Sequence, residues 1–428
     1  MIEIIKNSKD IDAFFEALKY RGQVNNGDFS DTVKKIVKDV EINGDDALVS
    51  YTKKFDDPDF DITKIEVSKE EQEKAFNSLD EKLKKVLIRS KERIYSYHMH
   101  QKRETWMYKD SIGAELGLKI TPIQNVGVYV PGGKASYPSS VLMNVLPAKV
   151  AGCKSITMVT PAVKGYVNPL VLAAAYICEV DHVYKIGGAQ AVAALAYGTK
   201  TIAKVDKIVG PGNIFVALAK REVYGLVGID SIAGPSEICI LADSTCNPSF
   251  VAADLLGQAE HDEIASSILF ITDEAKAIEI KNKLNEYYET STRKNILDSS
   301  LKNYSKIVLV DNIDKAIEYV NKVAPEHLEL ATDNAMEIVD KIDNAGAIFI
   351  GHYSAESLGD YMSGPNHVLP TVGTARFFSP LGVDDFIKKT SLQRLSKEAC
   401  LSLIDDVDLF ANCEGLEMHA LSARVRKE

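Results

Sequence analysis

Apolar and charged residues recur with helical spacing through 31–54 and 68–100, so the first ~110 residues are predicted to be mostly helical. From about 124 onward the rhythm changes. Short β-branched runs end in glycine or proline and lead into helical stretches. The predicted series is strand Val126–Val130, helix Ser139–Val150, strand Ser155–Thr160, helix 168–178, strand Val183–Ile186, helix Gln190–Tyr197, strand Lys207–Val209 and helix Ile214–Tyr224. Strand-like runs return at 237–242, 266–272, 306–310 and 346–350. Such alternation predicts an α/β chain with mostly parallel sheets and helices on both faces. The tail from about 381 reads as helix-rich and charged, a small appended unit.

A chain of 428 residues exceeds what one core organises and predicts two or more domains. Its 46% apolar and 26% charged residues are ordinary for a globular protein. The net charge of −11 argues against a nucleic-acid binder, which needs a basic face. No apolar run approaches the ~20 residues of a membrane span, and the N-terminal sequence lacks a signal-peptide pattern. A cytoplasmic location is expected. The cysteines at 153, 178, 239, 246, 400 and 413 form no Cys-x-x-Cys pair and fit a reducing compartment, several as core filler.

Polar clusters interrupt this pattern. Asn247 and Pro248 mark a helix start, and Asp254, Gln258 and His261 then fall on one helical face. An amide oxygen and an imidazole three positions apart suit a zinc-like ion, although such a face also serves as a solvated surface. Pro325-Glu-His-Leu-Glu-Leu330 sets Glu326 beside His327 before a strand-like run. A loop there would let an acid and an imidazole address one cavity, as proton transfer needs. Asp360, His367, Glu414 and His419 are further candidates. His98 and His100 are expected to be exposed near a helix C-terminus, and His182 and His352 have no patterned partner.

The G-x-G-x-x-G fingerprint is absent; the nearest match, Gly210-Pro-Gly-Asn-Ile-Phe215, has phenylalanine at the third glycine. Glycine turns near 132, 188 and 212 still leave helix N–H groups available to an anion. On spacing alone, ordinary βα turns of an α/β fold are the favoured reading of them.

Taken together, the motifs resemble those of the histidinol dehydrogenase family, in order and over nearly the whole length. The resemblance rests mainly on Asp230-Ser-Ile-Ala-Gly-Pro-Ser-Glu237 and Ala252-Ala-Asp-Leu-Leu-Gly-Gln-Ala-Glu-His261. Val130-Pro-Gly-Gly, Gly187-Gly-Ala-Gln190, Gly210-Pro-Gly-Asn213, Pro325–Leu330, Gly364-Pro-Asn-His367 and Glu414–His419 support it. The resemblance implies oxidation of L-histidinol to L-histidine via the aldehyde, with two NAD⁺, in histidine biosynthesis. It implies one Zn²⁺ per subunit on Gln258, His261, Asp360 and His419, with Glu326 and His327 as the catalytic pair. Substrate contacts are implied for Ser236, His367 and Glu414, and for Gln258, His261, His327, Asp360 and His419; nucleotide contacts are implied for Tyr129, Gln190 and Asn213.

The implied fold has two Rossmann-like domains, with small helical N- and C-terminal units, in an intertwined homodimer. Its expected parts are an extension 1–22, a first domain of 23–125 with 238–380, a second, NAD-binding domain 126–237, and a tail 381–428 that reaches the partner's site. A relative acting on another hydroxylated substrate, a zinc hydrolase and a metal-holding binding protein are the alternatives.

Overall fold

The computed structural model describes residues 2–19, 21, 26–132 and 137–428. In chain order its strands are β1 (Glu3–Ile5), β2 (Trp106–Lys109), β3 (Glu115–Pro122), β4 (Asn125–Tyr129), β5 (Ser155–Val159), β6 (His182–Tyr184) and β7 (Lys207–Val209). They continue with β8 (Gly228–Ile229), β9 (Glu237–Ala242), β10 (Ser266–Ile271), β11 (Lys306–Leu309), β12 (His327–Ala331), β13 (Ala347–Ile350) and β14 (Ile387–Arg394). Two sheets are wholly parallel: β1-β11-β10-β9-β12-β13 and β6-β5-β4-β7-β8. Their central strands are buried on both faces. Ile238–Ala242 and Ile268–Ile271 are continuous apolar runs because helices cover each side of the sheet.

The five-stranded sheet has the order of a doubly wound fold. From β4 the chain moves outward through β5 and β6, then returns to place β7 and β8 on the other side. The switch therefore lies between β4 and β7, where ligands of such sheets bind beyond the carboxyl ends of the strands.

Several features depart from the sequence expectation. The N-terminal residues contribute β1, which pairs with β11. The tail is not purely helical: β14 pairs antiparallel with β3 in a three-stranded sheet with β2. The helices Asn26–Asn43, Asp45–Phe55, Lys69–Asn77 and Glu81–Met99 pack on helices of the five-stranded sheet. Their Val33, Ile36, Val40, Leu48 and Ile94 share cores with it. That packing sets them against the 126–237 unit. The expected boundary at 22–23 lies outside the described residues, as does Gly133 of the Val130-Pro-Gly-Gly motif. Among the described residues, no helix is long and apolar enough to cross a membrane.

His98 was expected at the surface and is buried. Its Nδ1 bonds the Gln101 side chain at 2.8 Å, and Nε2 faces the Asn366 amide at 3.4 Å. The hydrogen bonds, not the helix terminus, set its environment. His182 and His352 also have partners, Glu66 at 2.8 Å and Asp333 at 3.0 Å.

Candidate active site

The helix Pro248–Ala259 starts as its sequence dictates, with the Asn247 side chain accepting the Ser249 N–H at 2.9 Å and Pro248 in the first turn. It runs back from the carboxyl end of β9, so its last turn reaches the amino-terminal edge of the sheet. Gln258 is fully buried there, and His261 follows just past the helix end. Asp360 arrives on a π-helical turn, Gly359–Ser363, an irregularity often found at functional sites. His261, Asp360 and Glu356 bring ligand atoms within 4.8 Å of one another. With its amide oriented by the hydrogen-bond network, Gln258 donates to Glu356 at 2.9 Å, which directs its amide oxygen away from that carboxyl.

β9 and β12 are parallel neighbours, and their first residues, Glu237 and His327, lie at that same edge. The sequence placed Glu326 and His327 in a loop; instead Glu326 ends the loop and His327 opens β12. They are still brought together because the Glu237 peptide serves both. Its N–H donates to Glu326 Oε2 at 3.0 Å, and its carbonyl faces His327 Nδ1 at 3.0 Å. A carbonyl only accepts, so Nδ1 carries the proton and Nε2 is the basic nitrogen. That Nε2 is buried with no protein partner, as is His367 Nε2.

Burial pushes the His327 pKa down to about 3, despite Glu326 and Glu356 carboxylate oxygens each 3.7 Å from Nδ1. Burial, with help from His261, takes His367 down to about 4. The carboxyls move the other way. Glu326 is raised well above its ordinary range by burial and then by Glu237, and Glu356 by burial and then by Asp360. Burial lifts Asp360 to about 6. Behind them Asp254 is raised to about 6 by burial, and its partner Glu329 accepts the Glu356 N–H at 2.8 Å. Crowded carboxyls whose charge burial disfavours, gathered beside the His261 imidazole and the Gln258 amide, form a donor set whose charge a divalent cation would neutralise. Imidazole, carboxylate and amide oxygen suit zinc.

His367 Nδ1 lies 3.7 Å from Asp360, and Ser236 immediately precedes Glu237. Glu414 and His419 are exposed in the tail, whose helices Lys397–Cys413 and Glu417–Arg424 pack chiefly on each other. Within one chain they are not among the clustered ligand atoms.

The three glycine turns follow β4, β6 and β7, all at the carboxyl edge of the five-stranded sheet. The buried Tyr129 ties them together. Its hydroxyl accepts the Gly188 N–H at 3.0 Å, and its carbonyl would lie 2.1 Å from a Cβ at Gly210, whose φ is +109°. Asn213 caps the helix Ile214–Val223, accepting N–H groups of Phe215 and Val216. The buried Gln190 donates to Asp56 at 3.3 Å. The N-cap of the helix Gly188–Tyr197 is a glycine with no capping side chain, so beyond the Gly188 N–H held by Tyr129 its first turn can present N–H groups to an anion. These turns and the strand-order switch fit a dinucleotide.

Glu356, Glu237, Arg21 and Glu329 belong to this site and were missed in the sequence. Glu356 lies one helical turn before Asp360, a spacing that could have flagged it; the other three carry no local signal.

The family model described as Histidinol dehydrogenase matches residues 19–427. The chain is 50% identical over 428 residues to a Clostridium acetobutylicum protein of that name, covering 100% of this chain and 99% of the relative. It is 52% identical over 396 residues to a Nitrosomonas europaea protein of that name, with 92% of each covered. The crystal structure of histidinol dehydrogenase from Elizabethkingia anophelis superposes with a TM-score of 0.94 at 38% identity, covering 99% of this chain and 98% of that one.

Proposed function

The chain belongs to the histidinol dehydrogenase family, NAD-dependent oxidoreductases of histidine biosynthesis, and from that premise we propose the following course for its oxidation of histidinol. L-Histidinol is converted to L-histidine through the aldehyde, in the cytoplasm, with two NAD⁺ consumed and one Zn²⁺ held per subunit. The observation that carries this reading is the His327 ring: Nδ1 is committed to the Glu237 carbonyl, and Nε2 is a buried, unpartnered base.

In the first oxidation, His327 Nε2 takes the alcohol proton as hydride leaves the carbon for NAD⁺. The charge it gains is offset by Glu326 and Glu356, each 3.7 Å from Nδ1. In the second, Glu326 draws a proton from water as it adds to the aldehyde, and His327 accepts the next proton as the hydrate is oxidised. One enclosed site for both steps keeps a reactive aldehyde from escaping. Zinc would be held by Gln258, His261 and Asp360, with His419 supplied by a second copy of the chain, and would act as a template for the substrate's imidazole and amino nitrogens. Ser236, His367 and the second copy's tail residue Glu414 orient the substrate. Tyr129, Gln190 and Asn213 hold the nucleotide at the glycine turns. The site is thus shared across a homodimer.

The test is stoichiometric. L-Histidinol, NAD⁺ and Zn²⁺ are mixed with the protein and reduced cofactor is followed by absorbance. Two NADH per histidinol, with histidine as product, is the expected result. Folded, metal-loaded protein that makes no NADH from histidinol, or makes it faster from another hydroxylated substrate in a panel, overturns the reading.

A further inference from the structure

The seven residues 230–236 connect the two sheets. They leave the carboxyl end of β8, beside the glycine turns, and enter the amino end of β9 beside Glu326 and His327. The eight Cα steps from Ile229 to Glu237 reach at most about 29 Å, so the nucleotide edge of one sheet and the base-carrying edge of the other lie within that distance. Both ends of the span are held by buried ion pairs, Asp230 with Lys220 and Glu237 with Arg21.

The second pair is built around the bases. Arg21 is 4% exposed and carries five N–H donors in a fixed plane. One terminal nitrogen donates to the Ser236 carbonyl at 3.3 Å and the Ile264 carbonyl at 3.5 Å. The other donates to the Pro235 carbonyl at 3.2 Å and to Glu237 Oε2. The second Glu237 oxygen accepts the Val372 N–H at 2.8 Å, so the carboxylate is fixed from two sides. The peptide of Glu237 then bonds Glu326 through its N–H and His327 through its carbonyl.

We propose that Arg21 is a positioning residue for catalysis: by gripping Glu237 and the carbonyls before it, it fixes the peptide that aims both bases. The inference rests on the reading of Glu326 and His327 as those bases. Stability is a weak reason to keep such a pair, since buried ion pairs are often matched by apolar residues of similar volume. Geometry is the stronger one. A shift of about 1 Å in a reacting group can cost on the order of 100-fold in rate, and Arg21 is linked to both reacting groups through one residue. Lysine retains the charge but, as a point donor, cannot span three carbonyls and a carboxylate.

The experiment compares wild type, Arg21→Met and Arg21→Lys with L-histidinol and NAD⁺, recording kcat, both KM values, bound zinc and the pH profile of kcat. Arg21→Met is expected to lower kcat at least about tenfold, with zinc content and KM for NAD⁺ unchanged. The guanidinium charge holds the Glu326 carboxyl down, so without it the acid limb set by Glu326 moves to higher pH. Arg21→Lys keeps the limb in place and still lowers kcat. Wild-type kcat and an unmoved limb in Arg21→Met, or a loss explained by missing zinc, overturns the proposal. If Arg21→Met does not fold, Arg21→Lys decides: reduced kcat with unchanged zinc and cofactor KM supports it, and wild-type kcat refutes it. A wild-type protein that makes no NADH from histidinol fails earlier, at the functional reading itself.

Discussion

At the scale of single residues, one peptide assigns two roles. Glu237 gives its N–H to Glu326 and its carbonyl to His327, so the acid and the imidazole are fixed by the same backbone unit. Glu326→Gln retains an acceptor for that N–H but removes the base. It is expected to slow the aldehyde-to-acid half-reaction by about 100-fold or more, with a much smaller effect on alcohol oxidation; single-turnover kinetics on each substrate checks this, and equal losses refute it. His327 also makes a stability prediction. Its pKa falls from 6.5 to about 3 in the fold, so below 6.5 the unfolded chain binds a proton that the folded chain does not. Its contribution is therefore present above that pH and lost as pH drops toward 3. Glu326 and Glu356 shift with the opposite sign, so the quantity to measure is the difference between metal-free wild type and His327→Gln in denaturant titrations. Wild type should lose stability relative to the variant from pH 6.5 downward; parallel curves contradict it. At His261 the expected loss is of the ion: His261→Ala should abolish tight zinc binding and activity together, and stoichiometric zinc at normal affinity by equilibrium dialysis would remove it from the ligand set.

At the scale of elements, the cofactor turn is held from outside. The buried Lys220 donates to the Gly210 carbonyl at 3.0 Å, while Asp230 accepts the Gly210 N–H at 2.7 Å. Their ion pair closes the clamp. Lys220→Met is expected to raise the KM for NAD⁺ about tenfold, since removing one partner of a buried pair leaves the other uncompensated, while bound zinc stays stoichiometric. An unchanged KM in folded protein shows the clamp to be dispensable. Such elements were legible in the sequence because parallel strands buried on both faces read as short apolar runs between helices. β14 was not. Its Lys388, Lys389, Thr390 and Ser391 are exposed, and its partner β3 is more than 260 residues away in the chain, beyond any local pattern. The site divides the same way. Gln258 with His261, and Glu326 with His327, are close in sequence and visible; Arg21, Glu237 and Glu329 acquire their roles only through contacts between distant segments.

At the scale of the whole molecule, the tail is the part that one chain leaves unexplained. Leu409, Phe410 and Met418 are exposed on its two helices, beside Glu414 and His419. An apolar surface of this kind next to two polar candidates is what a segment exchanged between subunits would present. The shared-site proposal makes a prediction that a self-contained subunit cannot satisfy. Homodimers of His419→Ala and of His327→Ala should both be inactive, one lacking a zinc ligand and the other its base. In a heterodimer of the two, the site of the His419→Ala subunit has its own His327 and receives an intact His419 from the other chain. The second site carries both defects. Differently tagged subunits, co-purified as verified heterodimers, should therefore recover roughly half of wild-type activity per dimer, together with one zinc in place of two. Verified heterodimers without activity would mean that each tail serves its own chain; the zinc count, one per dimer under either arrangement, does not separate the two.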